Sequence, residues 1–147
     1  MPESRQKEPT PLAVREVHES KVLKAFKRGE TTTLEFPCGT KVETIAPGDG
    51  LTFPEEGNNL RIHYDATVLG TPHAFDSSRS RGAPLYFVLG TGYVLKKVEQ
   101  ILTLMSFGQH CRITLPPVHA YGTVGYPPTI PGNATIVYDV ELRAIQI

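Results

Sequence analysis

The chain has 147 residues, the usual size of one domain, and its fifteen Lys and Arg residues balance fifteen Asp and Glu residues. No block of like charge interrupts the sequence, which argues against nucleic acid or an anionic membrane surface as a partner. No stretch approaches the roughly 18 apolar residues of a membrane span, and the polar start, Met1–Thr10, is not typical of a secretory signal. We therefore expect a cytoplasmic protein.

Residues 1–37 are expected to form an extension ahead of the main domain. Leu12–Arg28 carries a weak apolar stripe, which favours a helix ending near Gly29. Thr31–Phe36 has the composition of an edge strand. The sequence favours a loosely held extension over one that packs near the domain or pairs with another chain.

From residue 38 onward the pattern is mostly that of strands. The clearest strand is Leu60–Val68, in which every second residue is apolar. The same alternation occurs in Tyr86–Leu89, Gln109–Leu115 and Ala134–Ile145. Because half-buried alternation is typical of antiparallel sheets, we predict one such sheet.

One segment follows a helical period instead. Apolar residues recur at helical spacing after Gly92, with polar residues on the opposite side. The apolar set is Val94, Leu95, Val98, Ile101 and Leu102. The sequence therefore predicts one amphipathic helix that covers the sheet, giving an α+β fold.

Disulfide and metal chemistry are not favoured. The chain has two cysteines, and Cys111 alternates in step with Ile113 and Leu115, which favours a buried thiol over a disulfide with Cys38. The five histidines lack ligand spacing, and neither HxxxH nor CxxC occurs. We expect no metal and no cofactor.

The domain also contains a series of short motifs. In chain order they are Val42–Ile45 with Pro47–Gly50, His63–Tyr64, Phe75–Arg79, Phe87-x-Leu89-Gly90, Met105-x-x-Gly108-Gln109, Ala120–Gly122, Ile130–Pro131 and Asp139–Leu142. Together they resemble the FKBP-type peptidyl-prolyl cis/trans isomerases, the macrolide-binding immunophilins, over residues 38–147. The resemblance implies a five- or six-stranded antiparallel sheet wrapped around one short helix, with an apolar pocket between them.

The implied activity is acceleration of rotation about Xaa-Pro bonds. Amide resonance creates a barrier of roughly 18–20 kcal/mol to this rotation, and no bond is made or broken. A catalyst needs only an apolar site that holds proline, removes water from the carbonyl and favours the twisted amide. The lack of a nucleophile and base motif in the sequence agrees with such chemistry.

The resemblance also implies site residues. The positions that match catalytic ones are Tyr64, Phe75, Asp76 and Tyr121. The positions that match substrate-binding ones are Arg81, Leu85, Val94, Leu95, Val98, Tyr126, Ile130 and Tyr138. By the same resemblance, the Tyr121 hydroxyl donates to a substrate carbonyl, Asp76 is an acceptor near the twisted amide, and Arg81 orients Tyr64 and Asp76.

The chain departs from the family pattern around the pocket. Val98 stands where the family usually has a tryptophan floor, which removes on the order of 100 Å² of apolar contact, or a few kcal/mol at about 25 cal/mol per Å². Tyr138 replaces a usual phenylalanine and Leu85 a usual aromatic, while Tyr93 and Tyr126 replace smaller or differently charged residues. We expect weak macrolide binding and a reduced but real isomerase turnover.

Two functions are compatible with these residues. The favoured one is a peptidyl-prolyl isomerase that acts on a proline-containing peptide or protein. The alternative is an FKBP-fold protein whose remodelled pocket binds or transforms a small hydrophobic metabolite, or a binding or chaperone module with little isomerase activity. Measurement of proline-peptide exchange separates them.

Overall fold

A computed structural model describes residues 33–146, which form seven strands, two α-helices and one 3-10 turn. The helix expected within Leu12–Arg28 lies outside these residues. The strands are β1 Thr33–Glu35, β2 Lys41–Ala46, β3 Asn59–Val68, β4 Ala74–Ser77, β5 Leu85–Val88, β6 His110–Leu115 and β7 Ile136–Gln146. The helices are α1 Ser78–Arg81 and α2 Lys96–Leu102, and the 3-10 turn is Pro117–His119.

The strands form one antiparallel sheet in the order β1-β2-β6-β7-β3-β4, with β5 also paired to β3. β5 pairs with Asn59–Ile62 of β3, and β4 pairs with Asp65–Thr67. The predicted antiparallel sheet is thus confirmed. It has seven strands rather than five or six, for two reasons. The short strands β4 and β5 both pair with β3 at one edge, and β1, within the predicted strand Thr31–Phe36, extends the other edge.

The two long central strands bury one face and expose the other. On β3 the alternation predicted from the sequence is observed, since Leu60, Ile62, Tyr64 and Ala66 are buried. On β7 the buried residues are Ile136, Tyr138, Val140 and Leu142. Tyr64 lies opposite Val140 and Ala66 opposite Tyr138 in the ladder, so both apolar rows lie on the same side of the sheet.

Helix α2 covers this apolar side. Val98, Ile101 and Leu102 are each at most 2% exposed, and burying such side chains contributes about 1.5–3 kcal/mol apiece. The helix begins at Lys96, later than the apolar stripe suggested, because Leu95 occupies the N-cap with φ −54° and ψ 140°. Val94 and Leu95 therefore lie on the turn that precedes the helix.

The opposite side of the sheet carries an ion network that fixes α1. Arg79 contacts Asp65 at 2.7 Å, Glu141 at 2.8 Å and Asp139 at 3.2 Å, and thereby bridges β3 and β7. His110 lies 2.5 Å from Asp139. Since Asp65 and Asp139 are direct cross-strand partners, the Arg79 guanidinium offsets the repulsion between two adjacent carboxylates.

Both cysteines are free thiols, Cys111 buried and Cys38 exposed, as the sequence favoured. Burial raises the pKa of the Cys111 thiol to about 12. No helix among residues 33–146 has the length and apolarity needed to span a membrane. The cytoplasmic location and the domain boundary near residue 38 stay predictions.

Candidate active site

A cavity of about 660 Å³ opens between α2 and the apolar side of the sheet. Its lining comes from β3, β7, the end of β4, the α1–β5 segment, α2 with its preceding turn, and the β6–β7 loop. The lining residues are Ile62, Tyr64, Asp76, Arg81, Ala83, Pro84, Leu85, Gly92, Tyr93, Val94, Leu95, Val98, Tyr121, Tyr138 and Val140.

The sheet wall of the cavity follows from strand periodicity. Residues two apart on a strand point to the same side, which places Ile62 and Tyr64 of β3 beside Tyr138 and Val140 of β7. The rings of Tyr64 and Tyr138 lie 6.2 Å apart and are tilted by 31°. This wall is therefore mainly apolar and aromatic.

A polar corner interrupts the apolar wall. The Tyr64 hydroxyl donates to Asp76 Oδ2 at 2.7 Å, and Arg81 Nη1 donates to Asp76 Oδ1 at 2.5 Å. Arg81 Nη2 donates to the Tyr64 hydroxyl at 3.2 Å, and its guanidinium carbon lies 5.7 Å from the centre of the Tyr64 ring. The predicted role of Arg81 in orienting Tyr64 and Asp76 agrees with these contacts.

Local structure brings these three residues together. Ser77 ends β4 and caps α1, because its side chain accepts from the Ser80 backbone N–H. Ser78, fully buried, accepts from the Tyr64 backbone N–H at 2.8 Å. The cap and this bond hold the β4–α1 junction against β3, and so place Asp76 and Arg81 on either side of it.

Burial raises the pKa values of two tyrosine hydroxyls of the site, Tyr64 and Tyr138. Desolvation is the main cause that raises the pKa of Tyr64, where the Asp76 charge adds to the effect and Arg81 opposes it. Desolvation also raises the pKa of Tyr138, with further contributions from Tyr121. Both phenols therefore remain hydrogen-bond donors well above neutral pH.

The helix side of the cavity is apolar and lacks a large ring. Val98 is 1% exposed and reaches the cavity from α2, with Val94 and Leu95 beside it on the preceding turn. Tyr121, from the β6–β7 loop, forms a further part of the boundary, and its ring packs edge-on against Phe75 at 6.4 Å and at an angle of 79°. The cavity thus combines apolar walls with hydroxyls from several tyrosines.

The structure brings most predicted site residues together. Those that line the cavity are Tyr64, Asp76, Arg81, Leu85, Val94, Leu95, Val98, Tyr121 and Tyr138. Phe75, Tyr126 and Ile130 are not among the lining residues: the rings of Phe75 and Tyr126 each lie 6.4 Å from that of Tyr121, and Ile130 is buried and pairs with Tyr126. Phe75 and Tyr126 therefore flank the ring of Tyr121.

Several lining residues were not predicted from the sequence. Ile62 and Val140 belong to the buried rows of β3 and β7, so strand periodicity combined with the position of Tyr64 could have identified them. Ala83, Pro84 and Gly92 carry no such signal, because they come from turns. Among residues 33–146 no cluster of His, Cys, Asp or Glu could hold a metal ion.

Comparison with known proteins gives one consistent family. Residues 50–143 match the family model of the FKBP-type peptidyl-prolyl cis-trans isomerase. FK506-binding protein 1 of Candida glabrata is 43% identical over 107 residues, which cover 73% of this chain and 93% of that protein. Peptidyl-prolyl cis-trans isomerase FKBP1A of Xenopus laevis is 44% identical over 108 residues, covering 74% of this chain and 99% of that protein.

A solved structure supports the same assignment. The crystal structure of FkpA from Escherichia coli matches with a TM-score of 0.69 and 28% sequence identity. The match covers 91% of this chain but only 60% of the FkpA chain, so the two are similar over part of FkpA. Sequence, fold and cavity agree that the chain belongs to the FKBP-type peptidyl-prolyl cis-trans isomerase family.

Proposed function

We propose that the cavity between α2 and the sheet binds the proline of an Xaa-Pro segment and accelerates its cis/trans isomerisation. The observation that carries this proposal is the position of the polar corner, Tyr64, Asp76 and Arg81, at the side of an otherwise apolar cavity. Such a site holds an apolar ring while leaving oriented dipoles beside the amide that rotates.

The physical basis is stronger binding of the twisted amide than of either planar form. Removing water from the substrate carbonyl favours the twisted state, because that state has lost resonance and carries less charge on its oxygen. In our proposal Tyr138 and Val98 contact the proline ring, and the Tyr121 hydroxyl donates to a substrate carbonyl. Asp76, held by Tyr64 and Arg81, lies near the rotating amide.

The floor of the site is proposed to distinguish this chain from relatives with a tryptophan there. Compared with a tryptophan, Val98 leaves more room below the ligand. It also offers less flat apolar contact surface, by on the order of 100 Å². We propose that proline peptides still bind, because the walls around the ring are present. FK506-like macrolides are proposed to bind weakly, since they depend more on contact area.

The test is NMR exchange spectroscopy on an apolar Xaa-Pro peptide with purified protein. Tyr121→Phe removes the proposed donor and is expected to lower kcat/KM about tenfold or more, whereas Tyr86→Phe removes a hydroxyl from the outer side of β5 and is expected to change it little. Equal activity of the two variants would remove Tyr121 from the mechanism. No acceleration by the unmodified protein would reject the proposed function altogether.

A further inference from the structure

Tyr93 combines two properties that are unusual in one residue of a binding cavity. It belongs to the cavity lining, yet the residue is 65% exposed. Its ring stacks on Phe87, with centroids 6.2 Å apart and planes at 20°. Because Phe87 is only 6% exposed, the Tyr93 ring rests on a fixed support and its other face is open at the mouth of the cavity.

The turn that carries Tyr93 is also fixed. One oxygen of Glu99, on α2, accepts the backbone N–H groups of Gly90 at 3.0 Å and of Gly92 at 3.1 Å. Gly92 has φ +78°, a conformation that glycine adopts at little cost. The exposed ring is therefore held in place before any ligand arrives, and a ligand that stacks on it orders few additional groups.

The charges beside Tyr93 do not favour a charged occupant. Arg81, the cavity residue that carries a positive charge, is already paired with Asp76 at 2.5 Å. Glu99 is engaged with backbone N–H groups. Among the described residues that line the cavity, the charged side chains are Asp76 and Arg81, which pair with each other, so an open aromatic face in this lining is best matched by an apolar or aromatic side chain.

We propose that Tyr93 forms a second side-chain subsite, which binds an aromatic or large aliphatic residue outside the Xaa-Pro pair of the same polypeptide whose proline occupies the cavity. The subsite is continuous with the cavity wall, so one chain reaches both. This inference rests on the proposed function, because it takes a proline-containing polypeptide as the ligand. It makes Tyr93 a residue that determines specificity for the flanking sequence.

Tyr86 offers a matched control. It is a tyrosine with the same 65% exposure as Tyr93. Its hydroxyl accepts from Arg61 at 3.4 Å and its ring lies 5.9 Å from the Arg61 guanidinium carbon. Because neighbouring residues of β5 alternate, Tyr86 lies on the side opposite to buried Phe87 and does not line the cavity.

The experiment measures dissociation constants by NMR titration for two peptides that share one central Leu-Pro pair. In one peptide the residues two positions before and two positions after the proline are both phenylalanine. In the other peptide both are alanine. The unmodified protein is expected to bind the phenylalanine peptide about threefold to tenfold more tightly. Tyr93→Ala is expected to bring this ratio close to one, while Tyr93→Phe and Tyr86→Ala keep it.

A ratio near one in the unmodified protein, or an unchanged ratio in Tyr93→Ala, would overturn the subsite. The exchange rate of the same peptides is recorded in parallel and judges the proposed function separately. Binding with the expected ratio but no acceleration would reject isomerase activity and retain the subsite. Acceleration of exchange without the expected affinity ratio would retain isomerase activity and reject the subsite.

Discussion

The hydroxyl of Tyr64 donates a 2.7 Å hydrogen bond to Asp76 across the boundary between central strand β3 and edge strand β4. Arg81 completes the arrangement by donating to both partners. One oxygen of the carboxylate is thus bound by a phenol and the other by a guanidinium. The proposed catalytic acceptor is thereby held in one orientation at the side of the cavity.

Removing the Tyr64 hydroxyl should affect both stability and activity. Tyr64→Phe leaves Asp76 without one donor, and a bond to a charged group is typically worth about 1.5–3 kcal/mol, less where water can replace it. We expect a loss of about 1–2 kcal/mol in the free energy of unfolding, measured with urea, and a several-fold lower kcat/KM. Tyr86→Phe, the control on the outer side, should change stability by less than about 0.5 kcal/mol. Similar losses in both variants would contradict a special role for the Tyr64–Asp76 bond.

Filling the floor should change ligand preference. Val98→Trp adds flat apolar surface at a residue that is 1% exposed and lines the cavity. We expect affinity for FK506 or rapamycin, measured by calorimetry, to rise about tenfold or more, while binding of the apolar Xaa-Pro peptide weakens. Val118→Trp adds the same side chain at a position that is 76% exposed and away from the cavity lining, and should leave both affinities unchanged. If Val98→Trp folds and also changes neither, the floor does not limit macrolide binding.

Local periodicity predicted which faces of the strands and of the helix are buried, whereas the resemblance to a known family indicated which residues form the site. Alternation on β3 and β7 identified the buried rows that contain Tyr64 and Tyr138, and helical spacing identified Val98 as inward-facing. The same spacing could not locate the start of α2, since Val94 and Leu95 are apolar whether they lie in the helix or on the turn before it.

The contacts that periodicity cannot reveal join distant segments. Arg79 meets Glu141 only because α1 is capped beside the β3–β7 ladder, which brings together residues separated by 62 positions. The bonds from Gly90 and Gly92 to Glu99 likewise depend on the path of a turn. The partners of Arg79 and Glu99 therefore could not be predicted from the charges of these residues alone.

Loss of Arg79 should destabilise the sheet. Arg79→Met removes the cation that contacts Asp65, Asp139 and Glu141, leaving carboxylates together on adjacent strands. We expect the free energy of unfolding to fall by about 1–2 kcal/mol, and by less in high salt. The matched control is Arg143→Met, since Arg143 is 54% exposed and lies 3.8 Å from Glu141. A loss no larger than that of the control would show that the network contributes little.

Stability should fall in acid partly through Glu141. Its pKa lies below the ordinary 4.5, first because of the hydrogen bond from Arg79 and with smaller help from His110 and Arg143 charges, against the opposing effect of burial. The folded chain therefore binds fewer protons at this group than the unfolded chain does. The contribution of Glu141 to the free energy of unfolding is complete above about pH 4.5, the ordinary pKa. It is lost as the pH falls through the lower pKa of the folded chain.

The measurement is the urea midpoint of unfolding between about pH 6 and about pH 3. Glu141→Gln should lose less stability over this range than the unmodified protein. Glu55→Gln, which changes an exposed carboxylate on the loop before β3, should follow the unmodified protein. An acid dependence that Glu141→Gln leaves unchanged would exclude this linkage.

The central claim is that this cavity accelerates rotation about Xaa-Pro bonds. The most direct measurement is the cis/trans exchange rate of an apolar Xaa-Pro peptide, recorded by NMR with increasing protein and repeated with an excess of rapamycin. We predict a rate that rises in proportion to protein concentration and that saturating rapamycin suppresses. An exchange rate equal to that of the free peptide at every protein concentration would contradict it.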